Sequence, residues 1–427
     1  MSSPAWVWCG ARRLPVPRAD AFEPPAELPC IERPDEAIRE ALAAPVGAPR
    51  LRELARGARS VVVTIPDASR PCPSEPVLEA LLDELAAAAV SDSVVAVAVG
   101  CGLHATTGAE ERAGLAGPSV ARRVEIIDAQ GIESETADLG MTSLGAPVRI
   151  ARRVAEAQLV VTVGVVEPHL YAGFSGGVKG VSIGCAGRET IAWTHSPAFI
   201  SEPGVTVAGL AGNPFQATLR EIAARTPLAF GVNLVMTDGG AAAVRAGDPA
   251  AVQEALAREA APAWLRQADR RYDVVVAGVH APKSDSLYQA SRAATYLGLA
   301  ARPALEDGGL VVLCADLPLG AGDGPGERNF LDVLAAAATP ADLLARGLRE
   351  PLGPGGQRSF VVARMLERYR LAVAGAADPA FLESLAHLGV AAFVSVDAAL
   401  AAEDTRLGRR ASVLAVADAM ATVVTAA

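Results

Sequence analysis

The sequence predicts an α/β protein of two domains, with mainly parallel sheets flanked by helices and an active site in the cleft between them. Two observations carry this. Short β-branched runs, apolar throughout, alternate with Ala-rich helical segments along most of the chain, as strands buried on both faces require. The alternation also breaks near 262–272 and then restarts, and a length of 427 residues accommodates two such units.

Residues 1–59 read as Pro-rich and irregular, with one helix near 35–44. SVVVTIP at 60–66 is the first strand, followed from Ser74 by the helical pattern EPVLEALLDELAAAA. SVVAVAVG at 93–100, VEIID at 124–128 and LVVTVGVV at 159–166 are further strands. VVVAG at 274–278 opens the second unit, which continues as helix 286–304, strand 310–314, helix 327–347, helix 358–369, strand 371–375, helix 379–388 and strand 391–395. The expected domains are 1–268, a larger N-terminal domain completed by the tail 405–427, and 270–402, a smaller C-terminal one.

Composition excludes several classes. A formal charge of −10 and the absence of a basic stripe argue against nucleic acid. No apolar run reaches the ~20 residues that span a bilayer, and MSSPAWVWCGARRLP has no apolar signal core. The six cysteines are scattered without a CxxC pair, against both a disulfide framework and a Cys-based zinc site. A soluble cytoplasmic protein is expected, with an oligomer left open.

The chain is sparing with the residues that do chemistry. It has 5 histidines, and Lys179 and Lys283 are its only lysines among 38 basic residues. Where positive charge suffices, this chain uses Arg, so a retained lysine points to its amine, which Arg cannot replace as a nucleophile.

Four segments hold the candidates, each just after a strand, where ligands sit in parallel sheets. IPDASRPCPSEP (65–76) places Asp67 and Arg70 in a Pro-stiffened turn, with Ser74 able to cap the next helix. That pair is either an anion clamp or a surface ion pair. VGCGLHATTGAEE (99–111) carries His104, a general base or a structural histidine, with Thr107 and Glu110 at capping-box spacing. EPHLYAGFSGGVKG (167–180) carries His169 and Lys179 around Gly176 and Gly177, whose N–H groups could form an anion nest. It lacks the Ser/Thr of a Walker loop, which disfavours a nucleotide kinase. His195 follows sixteen residues after the lysine, a metal ligand by type but not a metal site alone. VHAPKSDSLYQASRAA (279–294) carries Lys283, Gln289 and Arg292, the last two sharing a helix face that is either pocket wall or solvated surface.

Taken together these segments resemble the nickel-pincer lactate racemase family of 2-hydroxyacid racemases and epimerases. His169 through Lys179 is similar throughout to that family's H-x-x-A-G-F-S-G-G-x-K signature, and His195 falls at the spacing of its metal-ligating histidine. Asp67-Ala68-Ser69-Arg70-Pro71 resembles its D-x-[TS]-R-P, Gly102-Leu103-His104 its G-x-H, and Pro282-Lys283 through Tyr288-Gln289 its P-K…Y-Q segment.

The resemblance implies a cofactor: a nicotinate-derived mononucleotide with pyridinium thioamide and thiocarboxylate groups that bind nickel, attached covalently through the thioamide to Lys179. It implies His195 as the protein's nickel ligand, with Gly176, Gly177 and Asp67 near the cofactor. His104 and His169 become the two acid–base histidines, one per enantiomer, for hydride removal to a planar 2-keto acid and return on the other face. Arg70 and Arg292 become the carboxylate clamp, with Gln289 and Lys283 as further substrate contacts. The implied partners are a small 2-hydroxyacid and the proteins that make and install the cofactor. Ala105 and Arg292 depart from the lactate enzyme's pattern, so a longer or more apolar 2-hydroxyacid, or a sugar acid, fits as well as lactate. His280 and His387 read as structural. Two alternatives stand beside this: a phosphate-binding α/β enzyme with Lys179 on an anion, and a non-catalytic 2-hydroxyacid-binding homologue.

Overall fold

The structure is a computed structural model, and it describes residues 5–22, 28–103, 107–130, 135–237 and 239–427. The chain divides into two compact units, Glu27–Ala261 and a second made of Met1–Ala26 with Pro262–Ala427.

The first unit is built on a six-stranded sheet in the order Gly240–Gly247, Leu228–Thr237, Leu159–Val165, Val61–Pro66, Val95–Gly102, Glu125–Gln130. All neighbours are parallel except the first pair, an antiparallel hairpin. Alternation along the strands separates the two faces. Val61, Val63, Ile65, Val161 and Val163 pack with Ile38 and Leu42 of helix Pro34–Ala43 and with Val77, Leu78, Leu81 and Leu85 of helix Ser74–Ala87. Thr64 and Thr162 point the other way and share a buried hydrogen bond of 3.0 Å. Against them lies the short helix Lys179–Ser182, where Gly180 comes so close that a Cβ would stand 2.3 Å from Thr162 Oγ1. Only glycine permits that approach.

The second unit has an eight-stranded sheet. Val390–Phe393, Arg370–Ala374, Leu305–Cys314 and Tyr272–His280 run parallel in that order. The free side of Tyr272–His280 takes two parallel partners in succession, Val413–Val416 along Val274–Ala277 and Trp6–Gly10 along Val279–His280. Arg12–Pro15 closes that edge as an antiparallel strand, and Asp20–Ala21 pairs with Val413–Val416.

Several expectations change. The tail was expected to complete the N-terminal domain, but Val413–Val416 hydrogen-bonds Tyr272–His280, so both chain ends build the second sheet. Trp6–Gly10 and Arg12–Pro15 are strands rather than irregular chain, because apolar side chains of the first (Val7, Cys9) fill the second unit's core. The helix expected over 327–347 is two, Pro325–Ala335 and Pro340–Arg349, with Thr339 capping the second; Pro340, costly in a helix interior, sits at ease in the first turn of a new helix. The helix expected to 304 ends at Gly298, and strand Leu305–Cys314 begins earlier than expected. The helix expected over 379–388 is a 3₁₀-helix, Ala380–Leu388. Ser74 is the first helical residue rather than a cap. Thr107 does not cap either: its hydroxyl bonds Asp128, Gly108 takes the cap position, and the helix starts at Ala109.

No helix among the described residues is long and apolar enough to cross a membrane. All six cysteines are free thiols.

Candidate active site

Three of the four segments emerge from neighbouring strands of the first sheet. Asp67 follows Val61–Pro66, Leu103 follows Val95–Gly102, and Glu167 follows Leu159–Val165, all at carboxyl ends. Sequence spacing gives no hint that these strands adjoin. His104 and Ala105 lie outside the described residues.

The Glu167–Lys179 segment is held by side chains beneath it. Ser175 N donates to Glu167 O at 2.9 Å, and Glu167 N donates to Ser175 Oγ at 3.0 Å. Gly177 N donates to Asn233 Oδ1 at 2.5 Å. Gln253 Nε2 reaches Ser175 O at 2.9 Å and Phe174 O at 3.1 Å, while its Oε1 accepts from Gln216 Nε2 at 2.7 Å. Asn233 and Gln253 are fully buried, and a buried amide without partners would cost about 1–3 kcal/mol. Gly177 has φ +56°, a left-handed conformation that glycine takes at little cost. These bonds bear on the expected anion nest: the N–H groups of Ser175, Gly177 and Lys179 already have protein acceptors. Three of the loop's N–H groups are thus spent on its own support.

His195 ends the helix Arg188–Thr194. Its Nδ1 lies 3.1 Å from Ile191 O and 3.1 Å from Thr194 Oγ1, and that hydroxyl itself donates to Thr190 O at 2.9 Å. Nδ1 therefore carries the proton, and the lone pair lies on Nε2. Burial is the main cause that pushes its pKa down to about 4, and the charge of Lys179 adds to it against the Ile191 carbonyl. His195 is thus neutral at neutral pH, the form that binds a metal. The effect of Lys179 also places the two residues within electrostatic reach. Among the described residues no group of three or more His, Cys, Asp and Glu is arranged to hold a metal ion. A metal on Nε2 of His195 would need other ligands, and a sulfur-bearing group tethered at Lys179 has the chemistry to supply them.

His169 stands in a two-residue strand paired with Gly173–Phe174. Tyr171 lies between the two histidines, its ring edge-on to His169 at 5.9 Å and to His195 at 5.9 Å, and Phe215 packs against His195 at 5.5 Å. Asn213 ties this turn down, donating to Tyr171 O at 2.8 Å while its Oδ1 caps helix Pro214–Ala223 through Phe215 N at 2.9 Å.

Arg70, half-buried, has a carboxylate partner within the chain. Its Nη1 forms an ion pair with Glu167. Asp67 caps its own turn, accepting from Ser69 N at 3.1 Å and Ser69 Oγ at 2.5 Å. In the second unit, Lys283 is exposed in the turn after His280. Gln289 and Arg292 are half-buried on helix Leu287–Gly298, whose cap Ser286 Oγ accepts from Gln289 N at 3.4 Å. The Gln289 side-chain oxygen is buried without a hydrogen-bond partner among the described residues, as suits a group that awaits a ligand donor. His280 stacks edge-on with Trp8 at 4.5 Å and contacts Ala281 O at 2.7 Å, and His387 contacts Ala337 O at 2.7 Å.

In the first unit Arg70 meets Glu167 two residues before His169, Tyr171 contacts both His169 and His195, and Lys179 acts electrostatically on His195; in the second, Gln289 and Arg292 lie three residues apart on one helix and Lys283 in the turn before it. Sequence reasoning passed over Glu167, Asn213, Asn233 and Gln253. Two of them did carry a signal: Asn213-Pro214 is a helix start, and Asn233 interrupts the apolar run LAFGVNLVM.

Residues 13–208 match the family described as the lactate racemase N-terminal domain. Across 398 residues the chain is 28% identical to a lactate racemase of Lactiplantibacillus plantarum, covering 91% of this chain and 90% of that one. A lactate racemase of Thermoanaerobacterium thermosaccharolyticum is 27% identical over 351 residues, 79% of this chain and 78% of its own. Among solved structures, the lactate racemase apoprotein from the latter organism superposes with a TM-score of 0.86 at 22% identity, over 99% of this chain and 100% of its own. A Thermotoga maritima protein shares the fold at a TM-score of 0.63 and 14% identity, over 92% of this chain and 98% of its own. Residues 13–208 thus match a lactate racemase N-terminal domain, and the chain is similar to two lactate racemases over most of its length.

Proposed function

We propose that this protein is an isomerase that racemises or epimerises a 2-hydroxyacid with a nickel-pincer nucleotide tethered to Lys179. The observation that supports this most is the state of His195. Its Nδ1 is engaged by Ile191 O, its lone pair lies on Nε2, and Lys179 is close enough for its charge to be felt there. One neutral imidazole beside one amine, with no metal-binding cluster among the described residues, is the arrangement a ligand-bearing cofactor needs.

In this reading the amine of Lys179 forms the thioamide, which Arg could not form, and Nε2 of His195 binds nickel. When bound, the group supplies a reversible hydride acceptor for the hydrogen on the substrate's C2. The chain does the rest. Gln253 and Asn233 fix the loop that presents the lysine, and Asp67 shapes the neighbouring turn. Arg70, Arg292, Gln289 and Lys283 offer donors to the carboxylate and other oxygens of the acid. His104 and His169 serve the hydroxyl and its proton. The substrate is a 2-hydroxyacid, and with Ala105 and Arg292 in the pocket motifs a longer or more apolar acid, or a sugar acid, fits as well as lactate. The partners are the proteins that make and install the cofactor. The cytoplasm is the compartment, where six free thiols persist.

The test is to produce the protein together with the cofactor-synthesis proteins. The expected result is an adduct on the Lys179 peptide, bound nickel, and loss of optical rotation from one acid in a panel of single-enantiomer 2-hydroxyacids. An unmodified, metal-free product would overturn the tether. An adduct with no racemisation in the whole panel would favour a binding homologue.

A further inference from the structure

Arg358 reaches the turn of helix Leu287–Gly298 that carries Arg292. That helix is buried along its length except at Tyr288, Gln289 and Arg292. Thr295, three residues past Arg292 and so its neighbour on the helix surface, is fully buried. Its hydroxyl donates to Arg292 O at 3.0 Å and accepts from Arg358 Nη1 at 3.4 Å. A second guanidinium is thus laid against the turn that carries the first.

The charge of Arg358 meets no acid among the described residues. There its side chain has the Thr295 hydroxyl as its hydrogen-bond partner and no carboxylate. Arg18 and Arg370, half-buried like it in the same unit, hold the carboxylates of Asp404 and Glu403. The place of Arg358 in its own helix adds to the cost. Helices Pro325–Ala335, Pro340–Arg349 and Val396–Leu407 carry Glu327, Asp342 and Asp397 in their first turns, where the helix dipole favours an acid. Helix Gly356–Leu366 has no acid in its first turn and has Arg358 there instead. The position is nonetheless firmly held. Asn329 Nδ2 donates to Leu352 O at 2.9 Å and to Pro354 O at 2.7 Å, and a Cβ on Gly355 (φ +80°) would collide with Gly326 O.

We propose that Arg358 receives, beside Arg292, a second anionic group on the substrate, a carboxylate or a phosphate ester at the end that does not react. The proposal rests on the racemase reading and narrows its substrate to a 2-hydroxyacid that carries a further negative group, rather than an apolar one. A guanidinium offers a planar fork that matches either group through two parallel hydrogen bonds. An anion there also complements the positive end of helix Gly356–Leu366. A methyl-ended acid does neither, and leaves the half-buried guanidinium as it was. Arg358 is thus a specificity residue, bound to the far end of the acid.

The test compares acids that differ by that one group, in the loaded enzyme: malate with 2-hydroxybutanoate, and 3-phosphoglycerate with glycerate. In one pair the charged member should show the higher kcat/KM, by about tenfold or more for a hydrogen-bonded charge, and which pair does so separates carboxylate from phosphate. Arg358→Gln should erase the preference, chiefly through KM, and Arg358→Lys, which keeps the charge without the fork, should keep part of it. Equal kcat/KM within both pairs, or a preference that survives in Arg358→Gln, overturns the proposal. Calorimetry with the same acids on the unloaded protein reads the preference without turnover. The charged acid should bind about tenfold tighter than its partner in the parent and no tighter in Arg358→Gln, and equal binding in the parent again overturns the proposal. A loaded parent that racemises nothing overturns the racemase reading instead, and the calorimetry still decides Arg358.

Discussion

Arg70 is ion-paired to Glu167, and Glu167 stands two residues before His169. The guanidinium expected to meet the substrate's carboxylate thus already holds a carboxylate of its own. Only Nη1 is engaged in that pair, and a guanidinium has five N–H donors, so an arriving acid would share Arg70 with Glu167 rather than find it unscreened.

Glu167→Gln should therefore strengthen substrate binding. The pair is 35% and 40% exposed at its side chains, so its loss should cost at most about 1 kcal/mol of stability. KM for the 2-hydroxyacid should fall several-fold, by roughly the 1 kcal/mol scale of one relieved competitor, and Arg70→Gln should raise it. Initial rates followed by polarimetry would check this, and equal KM values in parent and both variants would remove Arg70 from the carboxylate site.

Lys179→Arg separates charge from chemistry. The side chain keeps its positive charge on a loop fixed by Asn233 and Gln253. Intact-mass analysis should show no adduct and metal analysis no stoichiometric nickel, with the melting temperature of the unloaded protein near that of the parent. An adduct on the arginine variant would place the attachment elsewhere.

The loop's supports should be costly to remove. Gln253→Leu leaves the carbonyls of Phe174 and Ser175 and the Gln216 amide without their buried partner, a loss of about 1–3 kcal/mol. Gly177→Ala forces a side chain into φ +56° with its Cβ 2.9 Å from Gln253, which adds roughly 1–2 kcal/mol of backbone strain to the clash. Urea unfolding would read both, and both should also lower the fraction of protein that carries the adduct.

Acid should weaken the second unit through Asp273. The hydrogen bonds from Arg409 are the main cause that holds its carboxyl well below the ordinary carboxylate range, and Ser412 reinforces them through N and Oγ, both at 2.8 Å. A carboxyl depressed on folding stabilises the fold above its ordinary value of about 3.9 and loses that contribution as pH falls below it. Asp273→Asn should melt lower than the parent at pH 7, and the gap should narrow below about pH 4. Melting temperatures across pH 3–8 would show it, and a gap that widens in acid would contradict the assignment.

Much of the fold was legible because buried parallel strands declare themselves. The runs at 60–66, 93–100, 159–166 and 274–278 all form strands, since a continuous β-branched stretch has few other homes. The hairpin Leu228–Thr237 with Gly240–Gly247 was not read, because GAAAVRAG has little strand propensity of its own and pairs by virtue of its neighbour. The tail's place was misjudged for a related reason. VLAV would suit either sheet, and the open side of Tyr272–His280 is where it lands.

By itself the sequence determined which residues carry unusual chemistry: two lysines, five histidines, and a Gly-rich segment that joins one of each. It also determined the strand-and-helix alternation that sets three motifs at strand ends. Only the tertiary structure decided the partners: Glu167 on Arg70, Asn233 and Gln253 beneath the loop, and Ile191 O on the ring of His195. The reason is physical. Side-chain type and strand periodicity are local properties of the chain, whereas a hydrogen bond depends on a few ångströms between groups that the sheet brings together from far apart in sequence.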